Sequence, residues 1–278
     1  MLFASACLLK FGVETRRGYF HYLDDGSYLH THHVLSDGLP VSPAVYRYAY
    51  IGKFAAAALL LFGIAPQAMA AVLAIWFLLE CAIYFKFHTC YFALLAAALA
   101  FSPDLGDAFT LSGLLGSQPL LPQYDPTSDG LAAALVVCVT ASLYVFSARH
   151  KWRSPEFMSG RVIETTLRAI PAAGPQRRFA DGIYSKRLVA YFAPADRSLA
   201  RRRCRPFARL TVGLEAVLPL MLLFGPPLLV LVGVALHLSI TMLFPITLAH
   251  FSLATVGSYV LFLDPGSVTA ALRGLGLA

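Results

Sequence analysis

Long apolar stretches separated by short polar breaks dominate this chain. A helix needs roughly 20 apolar residues to cross the hydrocarbon of a bilayer, with about 17 as the lower limit. Runs of that kind fall at 46–62, 68–85, 88–101, 131–147, 207–224, 227–243 and 245–263, the third of them short, and an incomplete one opens the chain at 2–13. Helix breakers mark their ends: Gly63-Ile64-Ala65-Pro66, Ser102-Pro103-Asp104, Gly225-Pro226-Pro227 and Asp264-Pro265-Gly266. Proline lacks a backbone donor and glycine favours turns, so each break ends a helical ladder. The pattern predicts an all-α fold, a polytopic membrane bundle of seven or eight transmembrane helices, with neighbouring spans paired as antiparallel hairpins. It forms a single transmembrane domain over 1–278, with a basic polar loop at 149–206 inserted between spans.

Three polar regions remain between the runs. Residues 14–42 hold His21, His30, His32 and His33 with Asp24, Asp25 and Asp37; residues 103–130 are acidic and lack Lys or Arg; residues 149–205 are strongly basic. Of 22 Lys and Arg residues, 14 fall in that last stretch. Positively charged loops stay on the cytoplasmic side, which puts 149–205 inside and 103–130 outside, with one span between them. Runs such as 161–170 and 184–192 mix apolar and basic residues, as do helices lying on an anionic membrane surface. A solvated loop fits the same pattern.

Composition sharpens this picture. The chain is 58% hydrophobic and 13% charged, its mean hydropathy is +0.67 and its net charge is +7. A soluble domain carries about a quarter charged residues. Nucleic acid is excluded as a partner, since no basic helix with interleaved aromatics and no recognition motif accompanies the charge. The bilayer itself is the partner expected, in an integral, multi-pass protein of the plasma membrane. The five cysteines are odd in number and scattered through apolar runs, so they read as small buried hydrophobes. The first run has no basic residue before it and Lys10 after it, the reverse of a secretory signal, and is retained as a helix of the mature protein.

Ionisable groups at membrane depth are costly and so mark places to look for function. Here they are Lys53, Glu80, Lys86, His88, His150, Lys151, Glu215, His237 and His250. Each is read either as a snorkelling or paired side chain or as part of a site. The segment Leu29-His30-Thr31-His32-His33 offers metal ligands, but it lacks helical i, i+4 spacing and reads better as an interfacial loop; no metal site is assigned. His88, His237 and His250 are the candidates under a haem-binding alternative.

Three stretches, in order, resemble a known family. The first is KFHTCYFALLAAALAF, Lys86 to Phe101; the second is YVFSARHKWRSPEFMSG, Tyr144 to Gly160; the third pairs GVALH, ending at His237, with FSLATVGSYVLFLDP, Phe251 to Pro265. They are similar to the Asn-His-Ser-Tyr-Leu helix start, the lysine, tryptophan and glycine segment, and the late helix pair of vitamin K-dependent gamma-carboxylases. These belong to the horizontally transferred transmembrane domain (HTTM) family. The sequence departs from the pattern at Phe87, where that family has Asn, and at Phe157, where it has Trp. The large C-terminal extramembrane region of the carboxylases, which binds the substrate propeptide, has no counterpart after Asp264.

The resemblance implies a membrane enzyme, of lyase or oxidoreductase type, in which a lysine deprotonates reduced vitamin K or a menaquinol-like quinol to drive chemistry on a small molecule or short peptide. Lys151 matches that base. An amine at a desolvated helix end surrenders its proton more readily than one in water. His88 and His237 match groups that orient the quinol, and Trp152 stands beside the lysine as a further cofactor contact. The family places its lysine-bearing region on the lumenal side, whereas charge counting puts Lys151 inside. A different reading of the same residues is a non-catalytic membrane component: a transporter subunit, an immunity factor or an accessory protein that keeps the helical scaffold.

Overall fold

The computed structural model describes residues 1–16, 43–83, 87–103, 105, 130–172, 186–224, 229–243 and 248–262. Every regular element among them is helical and none is a strand. In chain order they are α1 (Leu2–Arg16), α2 (Pro43–Phe62), α3 (Pro66–Ile83), α4 (Phe87–Ala100), α5 (Gly130–Arg153), α6 (Pro155–Met158), α7 (Arg161–Ala172), α8 (Lys186–Phe192), α9 (Arg197–Phe224), α10 (Val230–Leu243) and α11 (Ala249–Ser258), closed by a 3-10 turn at Tyr259–Phe262. Each apolar run is thus helical over its described residues. The last, expected as one span over 245–263, is a ten-residue α-helix that tightens into the 3-10 turn.

Local chemistry explains where helices begin. Pro43, Pro66 and Pro155 each occupy a first helical position, where the missing N–H costs nothing. Ser154 caps α6, its Oγ accepting from the Phe157 N–H at 3.1 Å. Asp196 does the same for α9, accepting from the Ser198 N–H at 2.7 Å. The turn between α2 and α3 uses Gly63 at φ 72° and Ala65 at φ 43°. Gly160 is required twice over: its φ is +82°, and a Cβ there would stand 2.6 Å from the Arg205 backbone nitrogen.

Two helices, α5 with 24 residues and α9 with 28, are long and apolar enough to cross a membrane among the described residues. At 1.5 Å per residue they reach about 36 and 42 Å, beyond the roughly 30 Å of hydrocarbon. Shorter apolar helices cover Tyr50–Phe62, Pro66–Ala82, Phe87–Ala100 and Val230–Met242. Large side chains such as Val145 and Phe146 on α5 and Leu210, Val217 and Leu220 on α9 stand exposed.

Contacts divide the chain into two compact units. The first lies within Met1–Val139 and the second is Thr140–Phe262, so α5 contributes to both. In the first unit, α1, α2, α3 and α4 pack in order. Phe11, Phe77 and Phe92 form its aromatic core, with ring centroids 5.4 to 5.7 Å apart from one to the next.

The second unit holds two clusters. In one, Ile163, Leu167, Val189, Cys204 and Ala208 join α7 and α8 to the start of α9. Thus the basic stretch expected as a loop folds substantially as helices, including both mixed apolar and basic runs. Buried Glu164 ties them together, accepting from Arg168 at 3.0 Å and Arg201 at 3.2 Å. The other cluster is Tyr144, Leu218, Leu222, Leu236 and Tyr259, joining α5, α9, α10 and the 3-10 turn.

Candidate functional site

One face of α5 carries a polar row in the second unit. Thr140, Tyr144, Ser147 and Lys151 are spaced by four, three and four residues, so they stack on one side of the helix. Their partners come from four later elements, α9, α10, α11 and the 3-10 turn. Thr140 Oγ1 donates to Ser258 Oγ at 3.1 Å. Tyr144 Oη meets His237 Nε2 at 2.7 Å and also contacts the Tyr259 hydroxyl. Ser147 Oγ donates to Glu215 Oε2 at 2.9 Å, and Lys151 Nζ to Glu215 Oε1 at 2.5 Å.

His237 is buried on α10 and held at both nitrogens, since its Nδ1 lies 3.2 Å from Ser252 Oγ on α11. Tyr144, Phe251 and Tyr259 surround the imidazole, their ring centroids 5.7 to 6.2 Å away. Such a packed, doubly bonded imidazole has no nitrogen left for an axial haem bond unless one of those contacts breaks. Gly233, one turn before His237, is there for space: a Cβ would fall 2.7 Å from the Tyr259 ring. Pro219 inside α9 withholds the N–H that would otherwise bond the Glu215 carbonyl.

Of the residues singled out from the sequence, Lys151 and His237 are brought onto this one row. Lys151 is partly exposed, and its ammonium lies 5.4 Å from the Phe157 ring centroid. Trp152 points away from that pairing and is 68% exposed. His88 belongs to the first unit, half-buried in the opening turn of α4. His250 is buried on α11. Lys86, His30, His32 and His33 lie outside the described residues. Among the described residues, no group of three or more His, Cys, Asp or Glu side chains is placed to hold a metal.

The first unit contains a cluster that the apolar pattern conceals. Lys10 from α1 and Lys53 from α2, each 1% exposed, both bond Glu80 of α3. Lys10 also bonds Glu14, which stands 3.8 Å from Lys53. Trp76 donates its Nε1–H to Glu80 at 3.2 Å. Two positive and two negative charges therefore neutralise one another inside an apolar bundle, and the Phe11 and Tyr50 ring faces lie 4.6 and 4.1 Å from the Lys53 ammonium. Reading Lys10 as the flank of an apolar run and Glu14 as the start of a polar region hides the cluster. Their i, i+4 spacing on a helix is the signal that reveals it.

Comparison with protein-family models, with curated proteins and with solved structures returned no match.

Proposed function

We propose that this chain is a multi-pass integral protein of the plasma membrane, with seven or eight spans, of the horizontally transferred transmembrane domain type. Its site is the α5 polar row, and its activity is a quinol-dependent reaction on a small molecule or short peptide, similar to that of the vitamin K-dependent gamma-carboxylases. The observation that carries the reading is the row itself: Lys151, paired with buried Glu215, and Tyr144, whose hydroxyl meets both His237 and Tyr259, follow one another along a single face of α5.

The residues suit a quinol. Two phenols and an imidazole converge in an apolar cluster, and both a hydroxyl and a carbonyl oxygen of a quinone ring find complementary partners there. A bound reduced vitamin K or menaquinol-like cofactor supplies the reducing equivalents. Tyr144, Tyr259 and His237 would hold its oxygens in exchange for the bonds they make with one another. His237 keeps its ring plane through the Ser252 contact, and the surrounding Leu218, Leu222 and Leu236 exclude water. Lys151 acts as the base, and Glu215 is the group within reach of Nζ that can accept its proton. The resemblance also assigns an orienting role to His88, which belongs to the first unit and is not part of this row.

The test is oxygen-dependent oxidation of a reduced menaquinone analogue in the presence of the detergent-purified protein, with molecular oxygen as the two-electron acceptor. Removing a positioned base costs about 100-fold or more, so Lys151→Ala and His237→Ala are each expected to lose most turnover, with Glu215→Gln intermediate. Wild-type rates in folded Lys151→Ala would discard the base assignment, and absence of turnover in every form would discard the enzyme.

A second reading has its own support. Each polar atom of the row is already bonded to another member of it, as in a self-satisfied scaffold of a transporter subunit, immunity factor or accessory protein. Under that reading these substitutions lower stability and change no turnover.

A further inference from the structure

The second unit has a groove of about 370 Å³ between α9 and α10, lined by Phe207, Leu210 and Leu214 on one side and Leu231, Ala235 and Ser239 on the other. Its walls offer no hydrogen bonds of their own. The Ser239 hydroxyl donates to the Ala235 carbonyl and that of neighbouring Thr211 to the Phe207 carbonyl, so both are spent inside their helices. An occupant of such a groove is apolar along its length.

One end of this groove is basic. Arg203 precedes Phe207 by four residues and Leu210 by seven, which places all three on one stripe of α9. Exposed Arg202, Arg205 and Arg209 flank that stripe, and residues 197–209 contain no acid. Arg203 is fixed in place from α8: its Nη1 donates to the Tyr191 carbonyl at 2.7 Å, and its guanidinium lies 4.3 Å from the Tyr191 ring centroid. One bond to a carbonyl leaves four of the guanidinium's five donors for another acceptor. Phe192 packs on Phe207 at the same end, with ring centroids 5.4 Å apart. Exposed Leu188 and Tyr191 on α8 and Leu199 on α9 complete an interfacial face in which aromatic, aliphatic and arginine side chains alternate.

From this arrangement we infer a binding site for one anionic phospholipid of the cytoplasmic leaflet, its acyl chain along the α9–α10 groove and its phosphate at Arg203 with the flanking arginines. Charge complementarity selects the occupant. A zwitterionic lipid or a plain hydrocarbon uses the groove and leaves the arginines without a counter-charge, whereas an anionic headgroup satisfies both ends at once. The site rests on the membrane reading above.

Native mass spectrometry of the detergent-solubilised full chain tests it, with phosphatidylglycerol and phosphatidylcholine as probes and inorganic phosphate as competitor. Wild type is expected to retain phosphatidylglycerol over phosphatidylcholine by about fivefold for each arginine engaged. Arg203→Gln and Arg209→Gln each remove about fivefold of that preference. Ala235→Phe, which fills the groove and leaves the arginines untouched, weakens retention of both lipids. Equal retention of the two lipids by wild type overturns the site, as does undiminished phosphatidylglycerol binding by Ala235→Phe or displacement of the lipid by inorganic phosphate. Arg209→Gln decides the headgroup role should Arg203→Gln release α8 and misfold. A chain that stays monodisperse without detergent sinks the membrane reading itself; lost lipid preference in a detergent-dependent chain sinks only this site.

Discussion

Single side chains decide how helices of the second unit start. Asp196 shows this most simply, because it caps a helix that carries six arginines between residues 197 and 209. Its carboxyl is held below the usual carboxylate range by the Ser198 hydroxyl first and then by the Ser198 and Leu199 backbone N–H groups. A carboxyl whose folded value is depressed stabilises the fold fully above its unfolded value and loses that contribution as pH falls through the folded one. The contribution is therefore complete at neutral pH and fades below about pH 4. Asn caps a helix equally well without titrating. The melting temperature of wild type relative to Asp196→Asn should thus be flat from neutral pH to mild acid and then decline. A difference that stays constant down to pH 3 would show that the cap does not titrate with folding.

At the scale of elements, the buried charges of the first unit fasten three helices to one another. Glu80 receives Lys10, Lys53 and the Trp76 N–H at once, so α1, α2 and α3 share a single carboxylate. Breaking such a pair from one side strands a charge and costs about 3 to 5 kcal/mol, whereas replacing both partners by apolar side chains is often nearly neutral. Lys53→Met and Glu80→Met should each destabilise by about 3 kcal/mol. The double variant leaves Lys10 and Glu14 as a balanced pair and should cost less than the sum by more than about 1 kcal/mol. Unfolding in mixed micelles measures all three, and strictly additive costs would show that Lys53 and Glu80 act independently. This cluster also marks the limit of what is legible in the chain. Helix positions could be read because hydropathy and Pro or Gly punctuation are local, and the described part of every apolar run is helical. The pairings could not, because Lys10 and Glu80 are 70 residues apart and nothing in either neighbourhood names the other. The α5 row is an intermediate case. Thr140, Tyr144, Ser147 and Lys151 repeat at helical spacing and so announce a polar face, but that Glu215, His237 and Ser258 answer it is a fact of tertiary packing.

The whole molecule turns on where its charge and its apolar surface stand relative to a bilayer. The arginine-rich start of α9 and the mostly apolar stretch that follows it, interrupted by Glu215, give the helix opposite ends: Arg202 near one, and Phe224, 82% exposed, at the other. The 22 helical steps from one to the other rise about 33 Å, enough to put the two ends at opposite faces of a bilayer. A cluster of arginines is costly to translocate and stays with the cytoplasm. Hence Arg202→Cys and Phe224→Cys, each introduced into a chain whose five free cysteines are replaced, should react with a membrane-impermeant maleimide from opposite sides of intact cells or inverted vesicles. Arg202→Cys labels only in the inverted vesicles. Labelling of both positions from the same side would mean that α9 lies along the surface or packs inside a water-soluble core, since a helix of that length cannot present both ends to one aqueous phase while crossing. If only the sidedness is reversed, α9 still spans and the charge rule fails; Lys151, whose Glu215 partner sits within the same helix, then faces the compartment that the carboxylase resemblance assigns to it.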